Sequence, residues 1–316
     1  MRQGLLLGSL LLSVLSMAAC DGGDATTGTG GSAGQGGTTT STVLFGGGAA
    51  GGNGGSGGSG GDTSSGAGGA GGAGNTANTG GSGGSTTDDL AALSDDFDDP
   101  STLPQWTLLH EELGTPVPYD SLDIDTTAPG KLVVVPTVSA WFEDLMATFL
   151  YKEVTGDFVV EVDAAAYQKG TAQGAPTQQY NSAGLLIRDP SSVTGSQDWL
   201  MYNIGYQDSG LGFEGKATTG SQSELHFADT EGQHTARLRM CRLGNTVRML
   251  RRLAGEATWT ETHVFPGSFP ATPAFTLPAT VQVGIIDNAY LVAGVRAEFE
   301  YIHFARVTDP ADCTAD

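Results

Sequence analysis

The sequence is short of positive charge. Lys and Arg number 14 in 316 residues, against 35 Asp and Glu, and the formal net charge is −21. A protein that binds nucleic acid neutralises phosphates with a basic surface, which this composition does not provide. The charge balance therefore argues against a nucleic-acid partner, and otherwise it indicates solubility rather than a function.

Motifs of catalytic metal and nucleophile sites are also missing. The five histidines lie far apart in the sequence, and no H-E-x-x-H motif occurs. Nothing indicates a serine or cysteine nucleophile with a base and an orienting group. Of the three cysteines, Cys241 and Cys313 have no histidine at the spacing that a zinc ligand set requires.

The apolar run near the N-terminus, residues 5–15, is too short to cross a bilayer of about 30 Å as a permanent helix. Arg2 precedes it and small residues lead into Cys20, which is the pattern of an export signal. The end of this segment resembles the lipobox of bacterial lipoproteins, in which the cysteine is acylated. The alternative is ordinary cleavage after Ala19, which leaves Cys20 as a free thiol. A lipoprotein signal peptide is therefore predicted over residues 1–19.

This interpretation predicts an exported, membrane-anchored lipoprotein at the outer membrane or cell surface. It would contact the lipid bilayer only through acylated Cys20. The other two cysteines then remain as an even pair in an oxidising compartment. A disulfide between Cys241 and Cys313 is predicted, with two free thiols as the alternative.

Glycine is distributed unevenly along the chain. Of 49 glycines, 29 lie between Cys20 and Ser85, in a stretch with three charged residues and almost no large apolar ones. Such a segment cannot bury enough apolar surface to offset the entropy that it loses on ordering. Residues 20–87 are therefore predicted to form a disordered tether, with a root-mean-square span of about 45 Å as a Gly/Ser coil.

Residues 88–316 show the pattern of an all-β domain. Short segments of alternating apolar and polar residues, such as 158–164, are separated by turn signals. Leu243-Gly244-Asn245 predicts a hairpin turn between two of them. Helical periodicity is limited to residues 88–93 and part of 140–149. About a dozen strands without a 40-residue repeat predict a two-sheet antiparallel sandwich rather than a propeller, and we expect a monomer.

Motifs spread along this domain carry a resemblance to a known superfamily. They are Asp95-Asp96-Phe97-Asp98-Asp99 with Trp106, Gly156-Asp157-Phe158, Ala183-Gly184-Leu185-Leu186-Ile187-Arg188 with Trp199, Arg242-Leu243-Gly244-Asn245 with Gly255 and Trp259, Val283-Gly284-Ile285, and Ala297-Glu298-Phe299-Glu300-Tyr301-Ile302. In order and spacing they resemble concanavalin A-like domains, and among these the DUF1349-type domains and the sandwich appended to family 43 β-xylosidases. The resemblance implies a concanavalin A-like (jelly-roll) sandwich and a polysaccharide or glycan partner.

The same resemblance bears on catalysis. Laminarinase-type members carry three acids as E-x-D-x-x-E on one strand, and retaining glycoside hydrolysis needs two carboxyl groups about 5–5.5 Å apart. Here Glu161 and Asp163 match the first two acids, but the third position is Ala166. We therefore expect no catalysis, with a degenerate glycosidase that uses Glu161 and Asp163 as the alternative.

Charged and aromatic residues near this strand are the candidate ligand contacts. Charged groups bind sugar hydroxyls, and aromatic rings stack on sugar C–H faces. The candidates are Glu161, Asp163, Arg188, Trp199, Tyr202 and Tyr206. Trp199 and Tyr202 differ in parity along their strand, so one of them must face away from any common site. Trp106 and Trp259 are interpreted as packing residues, and Trp141 as a loop or rim residue.

Two further charge clusters have competing interpretations. The superfamily resemblance implies a structural Ca²⁺ near the acidic start, with Asp96, Asp98 and Asp99 as ligands. The alternative is a solvated acidic turn. Six arginines in 237–252 either pair with acids across strands or bind an anionic polysaccharide or lipid headgroup, and we favour pairing.

The sequence thus predicts a surface lipoprotein that presents a non-catalytic recognition module, most simply one that binds carbohydrate. A glycoside hydrolase-like enzyme with a degenerate acidic site is one alternative. A structural or adhesion domain without a small ligand is the other.

Overall fold

The computed structural model describes residues 88–171 and 173–316. The predicted signal peptide (residues 1–19), the acylation of Cys20 and the tether (residues 20–87) lie outside the described residues and stay predictions. None of the helices in the described part of the chain is long and apolar enough to cross a membrane.

The described residues are almost entirely β-structure. The strands are β1 (Thr107–Leu108), β2 (Tyr119–Ile124), β3 (Leu132–Pro136), β4 (Phe149–Thr155), β5 (Phe158–Gln168), β6 (Asn181–Arg188), β7 (Trp199–Tyr206), β8 (Leu211–Thr219), β9 (Gln222–Asp229), β10 (Thr235–Leu243), β11 (Thr246–Arg252), β12 (Thr260–Phe265), β13 (Thr280–Ala289) and β14 (Val295–Arg306). A short helix α1 spans Leu109–Leu113, and single 3-10 segments span Ala91–Leu93, Pro100–Gln105 and Pro310–Thr314.

The strands form two seven-stranded sheets. Sheet I has the order β12-β11-β10-β5-β14-β3-β2, and sheet II has the order β1-β4-β13-β6-β7-β8-β9. Every neighbouring pair is antiparallel. The prediction of an all-β, two-sheet antiparallel sandwich is confirmed.

The core lies between the inner faces of the two sheets. On β5, Phe158, Val160 and Val162 point inward and are fully buried, because alternate residues of a strand face the same side. On β14 the register shifts between Phe299 and Ile302. This bulge adds one residue to the strand and so keeps both apolar side chains in the core.

The predicted hairpin turn is present. Leu243 at the end of β10 pairs with Thr246 at the start of β11, and Gly244 between them has a φ of 59°. The short helical periodicity in part of 140–149 does not correspond to a helix. Phe142 and Leu145 form an isolated bridge, and Glu143 between them has a φ of 53°, which an α-helix excludes.

The arginines of β10 and β11 pair with acids, as favoured from the sequence. Arg239 lies opposite Glu161 of β5 in register, and its Nη2 is 2.5 Å from Oε2 of that acid. Arg237 lies opposite Asp163, and its Nε is 3.4 Å from Oδ2 of that acid. Arg248, Arg251 and Arg252 also have carboxylate partners, whereas Arg242 donates to backbone carbonyls.

The predicted disulfide is present. It joins Cys241 on β10 to Cys313 in the C-terminal 3-10 segment. Trp259 is buried beside it, with the Arg239 guanidinium 3.9 Å from its ring centroid. Trp106 is buried in the main core, so the packing roles expected for Trp106 and Trp259 are confirmed.

The acidic start of the domain is a folded turn. Asp95 is buried and accepts hydrogen bonds from the Trp106 Nε1 and the Phe97 amide, each at 2.9 Å. Its carboxylate therefore ties the start of the domain to the core.

The calcium prediction does not fit this turn. Asp96 Oδ1 lies 2.7 Å from Nε2 of His303. Asp99 accepts a hydrogen bond from the Ser101 amide at the start of a 3-10 segment, and the Asp98 side chain is exposed. Within residues 88–171 and 173–316, no group of three or more His, Cys, Asp or Glu side chains could hold a metal ion. These acids serve as turn and pairing groups, so no role for calcium follows from them.

A carboxylic acid is buried between the sheets. Asp287 on β13 follows the parity of Ile285 and Ala289, which lie in the core, and it is fully buried. Burial raises the pKa of Asp287 to about 7, and within the described residues neither of its carboxylate oxygens has a hydrogen-bond partner. The folded protein therefore holds a proton on this group at a pH where the unfolded chain does not.

This buried acid predicts a pH dependence of stability. The contribution of Asp287 to the free energy of unfolding is complete below about pH 4 and decreases between about pH 4 and pH 7, because its pKa is higher in the folded state than in the unfolded state. Above about pH 7 the contribution no longer changes with pH. Replacing Asp287 by Asn should remove this slope and make the protein more stable at pH 8, by about 1–4 kcal/mol. Urea unfolding of both proteins from pH 4 to pH 8 measures the difference. Exposed Asp98→Asn is the control, and parallel curves for Asp287→Asn and wild type would contradict the assignment.

Candidate functional site

The sequence-predicted ligand residues are divided between the two sheets. Glu161 and Asp163 lie on the outer face of sheet I, opposite in parity to the core residues of β5. Arg188 and Trp199 lie on β6 and β7 of sheet II, where they pair with each other in register. The expectation that Arg188 lies on a strand beside Glu161 is wrong, because the two residues belong to different sheets.

On sheet I, Glu161 is fully engaged by neighbours. Tyr301 donates its hydroxyl to one carboxylate oxygen at 2.6 Å, and Arg239 donates to the other at 2.5 Å. Asp163 lines a polar groove of about 380 Å³ together with Arg237, to which it is paired. Both acids therefore pair with arginines of β10 across sheet I.

On sheet II, the predicted ligand residues are inaccessible. Arg188 donates to Gln282 at 2.6 Å and to the Ser192 carbonyl at 2.7 Å, and its side chain is buried. Trp199 is also completely buried. A ligand on this face would not reach either side chain.

The two tyrosines of β7 point to the other side of the strand. Tyr202 is in the core between the sheets, and its hydroxyl accepts a hydrogen bond from Thr262. Tyr206 shares its parity and is half-buried at the strand end. The alternation of side chains along β7 places Trp199 on the outer face and both tyrosines on the inner side, so neither tyrosine lies beside Trp199.

Residues 140–148 pack on the outer face of sheet II, where Trp141 and Ala147 share an apolar cluster with residues of β4, β6 and β7, and we call them the covering segment. Trp141 is its anchor: its ring is fully buried and packs edge-on against Phe149 and Trp199, at 5.8 and 5.7 Å between centroids. The interpretation of Trp141 as a loop residue is correct, but its ring lies beneath the segment rather than at a rim.

The backbone of Trp141 is held at both ends. Its amide donates to Asn288 Oδ1 at 2.8 Å, and its carbonyl accepts from Lys216 Nζ at 2.8 Å. In the middle of the segment, Asp144 accepts hydrogen bonds from the Ser221 hydroxyl and the Gly195 amide. These bonds fix the segment across the sheet from β13 to the β8–β9 turn.

A buried ion pair supports this arrangement. Lys216 Nζ lies 2.9 Å from Glu214 Oε1 on the same face of β8, and both side chains are almost completely buried. Asn203 on β7 donates to the other Glu214 oxygen at 3.1 Å, and Gln207 donates to Asn203 at 2.9 Å. The pair balances its own charge, so Lys216 can direct an ammonium hydrogen to the Trp141 carbonyl without an uncompensated buried charge.

Beside the covering segment the outer face of sheet II stays open as a cavity of about 240 Å³, which we call the outer cleft. It is lined by Ala140, Trp141, Phe142, Leu145, Tyr180, Lys216, Leu225, Asn288 and Tyr290. Three of these remain substantially exposed: Phe142 at 37%, Tyr290 at 41% and Leu145 at 52%. Tyr180 and Tyr290 meet edge to face, with 6.0 Å between centroids.

Further apolar residues are exposed in the segments that supply this rim. Leu291 and Val292 follow Tyr290 and are exposed, and Phe227 on the outer face of β9 is exposed as well. Contiguous exposed apolar surface bounded by polar groups marks an interaction site in soluble proteins. The outer cleft is therefore the candidate functional site.

Sequence reasoning missed most of the cleft. Tyr180, Lys216, Leu225, Asn288 and Tyr290 come from four parts of the chain, and only pairing across sheet II brings them together. One local signal was available. The apolar triplet Tyr290-Leu291-Val292 follows directly after β13, at a strand end where a polar turn is the usual pattern.

No protein-family model and no curated protein matches the chain. Solved structures match it in fold. A functionally unknown protein from Saccharomyces cerevisiae is 17% identical with a TM-score of 0.50, over 66% of this chain and 99% of that one. A xylan β-1,4-xylosidase from Bacillus halodurans is 17% identical with a TM-score of 0.50, over 67% of this chain. The GH43 protein BlXynB from Bacillus licheniformis is 14% identical with the same TM-score, over 68% of this chain.

This chain covers 39% of the length of each of the two Bacillus proteins. At these identities the likeness shows the fold alone. That fold is the concanavalin A-like β-sandwich, as the sequence motifs indicated.

The buried pair predicts a strong effect of a single substitution. Lys216→Met should lower the free energy of unfolding by about 3–5 kcal/mol, because it leaves Glu214 charged, buried and without its partner. The double variant Glu214→Gln/Lys216→Met should be more stable than Lys216→Met alone, since no buried charge remains. Urea unfolding of the wild type, Lys216→Met, Glu214→Gln and the double variant gives the coupling free energy between the two side chains. A loss below about 1 kcal/mol for Lys216→Met, the range of exposed pairs, would contradict this account.

Proposed function

We propose that the described domain is a non-catalytic recognition module that binds carbohydrate in the outer cleft. The observation that carries the proposal is the composition of the cleft. Exposed aromatic rings, Phe142 and Tyr290, stand at the rim, and the polar side chains of Asn288 and Lys216 lie in the wall. Aromatic faces stack on the C–H faces of sugars, and a few fixed polar groups set the orientation of a ligand.

The residues of the cleft support binding rather than hydrolysis. Glycoside hydrolysis uses two carboxyl groups on either side of the scissile bond. None of the residues that line the outer cleft is Asp or Glu. Glu161 and Asp163, the acids that match the laminarinase pattern, lie on the opposite outer face and are held by arginines.

The fold supports the same proposal at a coarser level. Two of the matched structures are named as a xylan β-1,4-xylosidase and as a GH43 protein, and the sandwich matches part of each. The same β-sandwich thus occurs in proteins that act on glycans, although fold alone does not assign a function.

The cleft predicts which substitution weakens binding. Tyr290→Ala in the full-length protein should weaken glycan binding about tenfold or more, because it removes an exposed ring at the rim while the core stays intact. Retention on a panel of immobilised polysaccharides, followed by titration calorimetry, measures the effect. Tyr167→Ala is the matched control, since Tyr167 is a half-buried tyrosine on β5 of sheet I. Equal retention of Tyr290→Ala and wild type on every polymer would refute the site.

The N-terminal sequence supplies the second part of the proposal. We propose that the module is presented at the outer membrane or cell surface, through acylated Cys20 and the glycine-rich residues 20–87. Acylation would keep the module near its membrane, and a Gly/Ser coil would let it search a volume of about 45 Å radius.

Substituting the proposed acylation site tests this presentation. Cys20→Ala should remove incorporation of a radiolabelled fatty acid and move the protein from the membrane fraction to the soluble exported fraction. Cys313→Ala, which changes a disulfide cysteine, should keep the label. Label retained in Cys20→Ala would show that the lipobox interpretation is wrong.

A further inference from the structure

The wall of the outer cleft is more aliphatic than a hydroxyl-covered sugar ring requires. Ala140, Leu145 and Leu225 form part of its lining beside the aromatic rim. A hydroxyl placed against such a wall loses its water and gains no hydrogen bond, which is unfavourable. A ligand that fits this wall therefore carries an apolar group in addition to its hydroxyls.

One polar donor in the lining has a defined orientation. The backbone N–H of Trp141 is a donor, so the Asn288 atom 2.8 Å from it must be the acceptor Oδ1. The other terminal atom of the Asn288 side chain is therefore the donor Nδ2. Nδ2 has no hydrogen-bond partner within residues 88–171 and 173–316. Asn288 lines the cleft and is almost completely buried, so an acceptor that enters the cleft, such as a carbonyl oxygen, can satisfy this amide group.

The charge of the lining is already neutralised. Among the described residues that line the cleft, Lys216 is the only charged one, and its ammonium is held by Glu214 and the Trp141 carbonyl. An anionic sugar would find no free cation there. It would also be repelled by the domain, which has 32 acids against 13 bases from residue 88 onward.

We propose that the outer cleft is specific for a neutral sugar that carries an acetyl substituent. This inference rests on the proposed function and names its ligand class. The acetyl methyl packs against Leu145 and Leu225, and the acetyl carbonyl accepts a hydrogen bond from Asn288 Nδ2. The sugar ring stacks on Tyr290 or Phe142, and no charge is introduced.

Oligosaccharides that differ at one substituent test this specificity. The full-length protein is titrated with the β-1,4 tetramers of N-acetylglucosamine, glucose and glucosamine, which share a backbone and differ at C2. The N-acetylated tetramer should bind about tenfold or more tightly than the other two, because only it fills the apolar wall and satisfies the donor. A second arm compares O-acetylated xylo-oligosaccharides with the same material after alkaline deacetylation. This comparison shows whether the cleft also binds an O-acetylated sugar more tightly than the same sugar without its acetyl groups.

A variant of the wall localises the preference. Leu145→Asn should reduce the preference for the acetylated tetramer to within about threefold while stability is unchanged, because Leu145 is half exposed. Leu113→Asn is the matched control, since Leu113 is a similarly exposed leucine on α1 outside the cleft lining.

The outcomes separate the two proposals. Tetramers that bind with equal affinity, and lose it in Tyr290→Ala, would keep carbohydrate binding and overturn the acetyl specificity. The preference surviving in Leu145→Asn would also overturn it. If no tetramer, xylo-oligosaccharide or immobilised polysaccharide binds, the proposed function fails and this inference fails with it.

Discussion

The outer face of sheet II depends on how one residue of the covering segment is held. The Trp141 ring is buried against Phe149 and Trp199, and its backbone amide and carbonyl are bound by Asn288 and Lys216. The apolar contacts of the buried tryptophan ring are not directional, whereas the two hydrogen bonds to its backbone fix the orientation of the covering segment on the sheet. Lys216 can make its bond only because Glu214 balances its charge. Together these contacts fill one part of the sheet and leave the cleft in the other.

The two outer faces of the sandwich use their polar residues differently. On sheet I, acids and arginines lie opposite each other in register, as in Glu161 with Arg239, and most of these charges are already paired. Such a face is adapted to stability and solubility. On sheet II, the polar residues that line the outer cleft are uncharged, apart from Lys216, whose charge is balanced by Glu214, and aromatic residues stand at the rim. The face that sequence reasoning favoured for its charges is therefore the less suitable one for a neutral ligand.

The fold could be predicted from the sequence because its signals are local. Alternation in residues 158–164 places Phe158, Val160 and Val162 inside, and Gly244 supplies the positive φ of the hairpin turn. The disulfide was also predictable, since Cys241 and Cys313 form an even pair once Cys20 is set aside. The bulge in β14 was not predictable, because one added residue depends on the partner strands and not on a local pattern.

The sequence by itself determined the class of the domain and the parity of Trp199 and Tyr202, and it favoured the pairing of the arginines with acids. These depend on strand periodicity and on charge, which can be read along the chain. Only the tertiary structure decided that Glu161 and Arg188 lie on different sheets, that Arg188 and Trp199 are covered, and that Tyr180, Lys216 and Tyr290 line one cleft. The physical reason is that strand order and the path of a covering segment are set by packing between residues far apart in the chain, which leave no periodic trace in the sequence.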